Sequence, residues 1–425
     1  MGKVLIKDVN IVNEGKIFLS DILVVNDRIE KIAQSIKIPA GKVTLIVAEG
    51  FYLIPGLIDD QVHFREPGLT HKATIGSETR AAAAGGITSF MDMPNTSPNA
   101  TSLKILEEKY ALASKNSLVN YSFFMGINKH NLDEALKIDN SMVCGLSDDG
   151  LYFDDEEGIL ANYPEYLNEL FSKTNSLVAL HCEDDSIINH NLKAFKIKYG
   201  NNIPVSCHPL IRDEKACLVA TKRVISIAEK HQTRLHILHV STQAEAQLFK
   251  SEVPLRNKRI TSEVCVHHLW FSDKDYQLLG NKIKWNPAIK SESNKTGLLK
   301  ALIDNDIDII ATDHAPHLLS EKEGDYFQSK SGAPLVQHAL PALLELFHEG
   351  KISLQKIVEK TSHHVAEIYR IKDRGYIREG YYADLVVVDM QTPYTVSFSL
   401  FSAYCWGKAA ICHASIFYPC GWCID

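Results

Sequence analysis

The chain has 425 residues, with 45 Lys and Arg against 52 Asp and Glu, and a formal net charge of −7. Hydrophobic residues make up 45% and charged residues 23%, a globular balance that excludes a disordered or fibrous chain, and the mild acidity offers no global field for nucleic acid or anionic lipid. At roughly 150 residues per domain the length suits two to three domains, although an α/β barrel exceeds that size as one unit.

The opening residues carry no long apolar run, no small-residue cleavage site and no myristoylation pattern, since position 6 is Ile. Nowhere does an apolar run reach the roughly eighteen residues that a bilayer-spanning helix needs, so the cytoplasm is the expected address. From Val4 to Val47 short alternating segments such as Val4–Ile6, Ile22–Val25 and Val43–Val47 read as a small β unit. Beyond Leu57 the texture becomes strand, loop, helix, repeated. Strands are expected at Phe51–Ile58, Ile87–Met91, Val119–Phe124, Val143–Leu146, Leu177–Leu180, Leu235–Leu238, Ile260–Val264 and Ile307–Ala311. Helical patterns between them include Thr101–Ser114, Glu156–Lys173, Asp213–Lys230 and Ser291–Asp304. Eight strands alternating with helices predict a (β/α)₈ barrel of the TIM type over 54–382. A doubly wound sheet is the alternative, but no glycine-rich dinucleotide turn supports it. The run Ala383–Asp389 reads as a strand returning to the first unit. A small flanking β-sandwich is therefore expected from 1–53 together with 383–425.

Barrels carry function where their strands end. Here the strand ends are crowded with His and Asp: Asp59-Asp60-Gln61-Val62-His63-Phe64-Arg65, Asp92-Met93-Pro94-Asn95, Ser147-Asp148-Asp149, His181-Cys182-Glu183, His239, His267-His268 and Asp313-His314-Ala315-Pro316-His317. The chain has 18 His, and five of them (His63, His181, His239, His267, His317) fall at these ends. Any one such His is as readily a hydrogen-bonded core residue. Together, imidazoles and carboxylates suit zinc or a similar divalent ion with a position left for water, whose pKa the ion lowers to about 7. Asp313, ending the last strand, has the chemistry both to bind metal and to shuttle a proton.

The segments PGLIDDQVHFREPG at 55–68 and ATDHAPH at 311–317, with PNT, LHCED, HVST, HHL and WNPAIK in order between them, resemble the amidohydrolase superfamily and within it the cyclic-amide hydrolases of the dihydroorotase family. The resemblance spans roughly 1–395. It implies a zinc-dependent interconversion of N-carbamoyl-L-aspartate and L-dihydroorotate in pyrimidine synthesis, with a small molecule as substrate, no nucleic acid or membrane as partner, and a homodimer as assembly. It further implies His63 and Asp313 at one metal position, His181 and His239 at another, and Asp149 as a bridge between them. Asp313 would be the catalytic base, and Arg65, Asn95 and His317 would bind the substrate carboxylate, with Asn286 on the ring. The Asp148-Asp149-Gly150 run equally suits a plain turn into a polar loop.

Gln61 departs from the family, which commonly has His there; a neutral amide is a poor zinc ligand, so one metal is as well supported as two. A hydantoinase or allantoinase type of cyclic amidase, and a non-catalytic scaffold, are the alternatives. Nine Cys argue against a disulfide framework and for a reducing compartment. Four of them (Cys405, Cys412, Cys420, Cys423) crowd the tail 400–425, where Cys420 and Cys423 have the spacing of a redox or zinc pair, with Cys412 and His413 upstream. A divergent, exposed terminus is the other reading. The polar segment Leu318–Gly332 is expected to act as a mobile cover over the site.

Overall fold

The structure is a computed structural model and describes residues 2–151, 160–249 and 251–395, together with 411–412 and 415–417. Strands β1 (Lys3–Asn13), β2 (Lys16–Val25), β3 (Arg28–Ala33), β4 (Thr44–Val47) and β5 (Tyr52–Pro55) come first. They are followed by β6 (Leu57–Val62), β7 (Ile87–Asp92), β8 (Asn120–Gly126), β9 (Gly145–Ser147), β10 (Leu177–Leu180), β11 (Arg234–Ile237), β12 (Ile260–Cys265), β13 (Ile309–Ala311) and β14 (Leu385–Asp389).

β6 to β13 form one parallel sheet in sequence order, each strand bonded to the next. It curls until its edges meet: Val62 bridges to His314 in parallel, and the His63 N–H donates to the His314 carbonyl at 2.8 Å. Asp59 reinforces that seam, accepting from the Thr312 N–H at 3.1 Å and the Thr312 hydroxyl at 2.6 Å. Strands of a closed barrel are buried on both faces, which explains unbroken apolar runs such as Leu177–Leu180, buried at all four positions. The surrounding helices bury one face each. Glu214–His231 turns Ala216, Cys217, Ala220, Thr221, Val224, Ile227 and Ala228 inward at helical spacing, and the Asp213 carboxylate caps it by accepting from the Ala216 N–H.

Two expectations need correction. The run Phe51–Ile58 is two strands rather than one: β5 lies in the flanking sheet and β6 opens the barrel, with the chain crossing between them at Gly56. A Cβ at Gly56 would sit 2.1 Å from the Thr88 hydroxyl, so this crossing requires glycine. The helix expected from Glu156 is described only from Pro164 to Lys173, with the proline in its first turn, and 156–159 lie outside the described residues.

The flanking sheet runs Ser415–Phe417, β14, β5, β1, β2, β3, with β4 also on β1. β1 is long enough to serve two neighbours, pairing in parallel with β4 over Val4–Lys7 and with β5 at Asn10 and Ile11. Val4, Ile6, Ile11, Ile22, Leu53, Leu385 and Val387 share one core there. The far end of the chain thus completes the sheet, β14 pairing antiparallel with β5 from Leu385 opposite Pro55 to Val388 opposite Tyr52. Cys405, Cys420, Cys423 and His413 lie outside the described residues; Cys412 ends a two-residue strand, Ile411–Cys412. Among the described residues, no helix is long and apolar enough to cross a membrane.

Candidate active site

The C-terminal ends of the barrel strands converge on a cleft of about 220 Å³ lined by His63, Arg65, Asn95, Asp149, Trp285, Asn286, Asp313 and His317, with Lys72 and Lys330–Gly332 on its wall. Two of these positions hold non-glycine residues in the left-handed region, Arg65 (φ 69°) and Asp313 (φ 47°), and so does His239 (φ 35°) beside Asp149. Such conformations cost about 1–3 kcal/mol each and persist where surroundings enforce them. For His239 the enforcement is visible, because its N–H donates to the Glu263 carboxylate at 3.0 Å.

Asp149 stands at the centre. Its Oδ2 is 3.2 Å from His63 Nε2, which is itself 3.1 Å from Asp313 Oδ1. Its Oδ1 is 3.8 Å from both His181 Nδ1 and His239 Nε2, and those two nitrogens face each other at 3.0 Å. Ligands about 2.1 Å from one tetrahedral ion stand about 3.4 Å apart, so both triangles have the dimensions of a metal site. Supporting contacts are also present. Asn95 Oδ1 accepts from His63 Nδ1–H at 2.7 Å, leaving Nε2 toward the carboxylates. Glu183 Oε2 lies 2.8 Å from His181 Nε2 and is paired with Arg212, an orienting carboxylate of the kind that fixes a ligand imidazole. The residues therefore fit a metal ion.

The charges agree. Burial alone would keep the His63 imidazole neutral, yet Asp149 and Asp313 raise it to about 10; His239 is raised to about 9 against burial by Asp149. His239 and His63 in turn hold the Asp149 carboxyl well below its ordinary range, against its own burial. The site gathers carboxylate charge that a cation must balance. Burial lowers the Arg65 guanidinium to about 10, still charged at neutral pH, and takes the His317 imidazole down to about 3, so that ring is neutral.

Of the residues expected from the sequence, all but His267 reach this region, though not all in the same manner. Asn286 lines the cleft with its buried Oδ1 unpartnered, whereas Asn95 spends its own oxygen on His63. Gln61 is turned away from a ligand's role: its Nε2 donates to Asp149 Oδ2 at 2.9 Å and its Oε1 accepts from the Cys265 thiol at 3.5 Å. His267 does not join the convergence; its ring stacks on Trp285 at 4.4 Å and groups with Cys265 and His268. The segment Leu318–Gly332 forms a pinned wall: the Lys322 ammonium donates to the carbonyls of Lys284, Lys330 and Gly332, and Lys284 to those of Tyr326 and Ser329. Lys72, Glu321 and Cys265 are contributors that sequence reasoning missed. Glu183, named there at a strand end two residues beyond His181, takes an orienting role that the sequence did not assign.

The sequence profile of the Amidohydrolase family matches residues 52–411. The chain belongs to that family, in its dihydroorotase branch. It is 34% identical to the dihydroorotase of Methanosphaera stadtmanae over 342 residues, 80% of this chain and 76% of that protein. Identity to the dihydroorotase of Carboxydothermus hydrogenoformans is also 34%, over 407 residues covering 92% of this chain and 90% of the relative. Among solved structures, the L-hydantoinase (dihydropyrimidinase) of Arthrobacter aurescens superimposes with a TM-score of 0.90 at 23% identity, covering 98% of this chain and 94% of that one. The dihydropyrimidinase of Brevibacillus agri gives 0.85 at 23% identity, covering 97% and 92%. At those identities the likeness is one of fold, and it is the fold of a barrel amidohydrolase with a flanking sheet.

Proposed function

We propose that this amidohydrolase is a dihydroorotase, interconverting L-dihydroorotate and N-carbamoyl-L-aspartate in pyrimidine synthesis. The observation that carries the substrate assignment is Arg65, buried on the cleft wall with its Nη2 3.3 Å from His317 Nε2. A guanidinium binds a carboxylate through two parallel hydrogen bonds. Dihydroorotate has that group beside its ring, and hydantoins and dihydropyrimidines lack it.

The metal in this proposal is zinc, one or two per chain, held by His181, His239 and Asp149 and by His63, Asp149 and Asp313. Zinc bound there supplies an electrophile for the ring carbonyl and a lowered pKa for water. Asp313 takes the proton of the attacking water and delivers it to the leaving ring nitrogen; in synthesis it takes a proton from the carbamoyl nitrogen as water departs. Arg65 and His317 hold the carboxylate, and Asn286 bonds the ring. Free thiols at Cys144, Cys182, Cys207, Cys217 and Cys265 suit a reducing, cytoplasmic setting, and a homodimer is part of the proposal.

Purified without added zinc, the protein is expected to carry stoichiometric metal and to hydrolyse dihydroorotate. Arg65→Met should cut kcat/KM for dihydroorotate by roughly 100-fold, the size of a lost charge-assisted pair. Unchanged turnover would refute the substrate; absence of both metal and turnover would favour a scaffold.

The two metal sites are not equivalent. The Gln61 amide already occupies Asp149 Oδ2, the oxygen facing His63, whereas Oδ1 faces His181 and His239 without such a donor. The His181–His239 site should therefore fill first. Metal analysis after dialysis against metal-free buffer is expected to give about one ion per chain, and Gln61→His about two, because imidazole ligates where the amide only donates. A count of one in both proteins would contradict this ordering.

A further inference from the structure

Lys72 belongs to no strand end and no motif spacing, yet it lines the cleft with its side chain only 11% exposed. Its ammonium is 3.2 Å from His317 Nδ1 and 3.1 Å from Glu321 Oε1. On the other side of the same ring, His317 Nε2 is 2.9 Å from the Ser331 carbonyl oxygen and 3.3 Å from Arg65 Nη2. An ammonium can only donate, so Nδ1 must offer it a lone pair; a carbonyl can only accept, so Nε2 must carry the proton. The Ser331 and Lys72 contacts agree on one neutral tautomer, and the 2.9 Å carbonyl contact is the shortest of the set, against Arg65 at 3.3 Å from Nε2 and Glu321 Oε2 at 3.6 Å from Nδ1. Burial, with Arg65 and Lys72 behind it, keeps the ring neutral despite Glu321. Two cations thus flank one uncharged imidazole. Burial and then Arg65 push the Lys72 ammonium below its usual range, as expected of like charges gathered for an anion.

We propose that Lys72 is a positioning and specificity residue for carboxylate-bearing substrates: its ammonium fixes His317 as the Nε2–H tautomer, so that a substrate carboxylate takes this N–H from the Ser331 carbonyl and meets it together with the Arg65 guanidinium. Glu321, from the segment after β13, anchors the ammonium in that post. The role rests on the dihydroorotase reading for its substrate, while the tautomer stands independently of it.

Two measurements test this. Lys72→Met is expected to raise KM about tenfold or more in both directions with kcat kept within about twofold, since the pair it supports binds a group remote from the reacting bond. The loss in kcat/KM must be equal for hydrolysis and synthesis, because a catalyst leaves the equilibrium unchanged. Lys72→Arg, which keeps a cation and its donors, should recover most of the KM. An unchanged KM, or a loss carried by kcat alone, overturns the proposal. The second measurement needs no folded Lys72 variant. Nitrogen-15 spectra of histidine-labelled wild-type protein, with the His317 signals identified by their absence in His317→Gln, should report the Nε2–H tautomer. A proton on Nδ1 overturns the proposal even if the protein turns over dihydroorotate. A protein with the expected tautomer but no turnover instead sinks the dihydroorotase reading and leaves the role of Lys72 at His317 supported.

Discussion

Asp149→Asn is expected to strip metal from both sites at once and to lower dihydroorotate hydrolysis by roughly 10⁴-fold. The argument is geometric. Oδ1 of this one carboxylate stands 3.8 Å from His181 Nδ1 and from His239 Nε2, and Oδ2 stands 3.2 Å from His63 Nε2. Removing its charge leaves one site with two imidazoles and the other with His63 and Asp313, fewer than the three protein ligands a catalytic zinc site ordinarily has. The metal's contribution to transition-state charge is worth several kcal/mol, and about 5.4 kcal/mol is four decades of rate. Asn keeps the shape of Asp and an oxygen for the Gln61 amide, so the fold survives and a melting transition close to that of the parent should accompany the loss. His63→Gln is the informative comparison, because it touches one site only and should leave metal at His181 and His239. If Asp149→Asn retains wild-type metal content, the shared-carboxylate scheme is wrong.

The same residues show how far sequence alone reaches. Alternation of strands and helices predicts a closed parallel barrel because each βα unit leaves an imprint in local periodicity, and a conserved geometry of barrels then directs attention to strand ends. The placement of His63, His181, His239 and Asp313 at strand ends was legible for that reason. Phe51–Ile58 was misread as one strand because an apolar run buried on both faces has no period to mark where it changes sheets; the break at Pro55 and Gly56 was the available signal. Lys72, Glu321 and Cys265 were not legible. Each acts across the barrel, Lys72 on His317 and Cys265 on Gln61, through pairings more than two hundred positions apart that no spacing encodes. The segment Leu318–Gly332 lies against the cleft through Lys330–Gly332, and its tie to the barrel, Lys322 donating to the carbonyls of Lys284, Lys330 and Gly332, is one that composition does not encode.

Asp313 carries the second large prediction, and its backbone decides which substitution is fair. With φ at 47°, the position accepts Asn with little penalty, whereas a β-branched or larger residue adds strain unrelated to chemistry. Asp313→Asn keeps an oxygen for His63 Nε2, now 3.1 Å from Oδ1, and removes the capacity to accept and return a proton. Metal at His181, His239 and Asp149 should persist, since Asp313 is not among those three donors. Turnover should nevertheless fall on the order of 10³-fold in both directions, with KM nearly unchanged, the pattern of an interaction made only in the transition state. Metal analysis beside steady-state kinetics separates the two roles assigned to this carboxylate. Lost activity with retained metal identifies proton transfer as its main work. Lost activity with metal lost from every site would make Asp313 a ligand first, and then some other group must move the proton between water and the ring nitrogen. Retained activity removes Asp313 from the chemistry altogether.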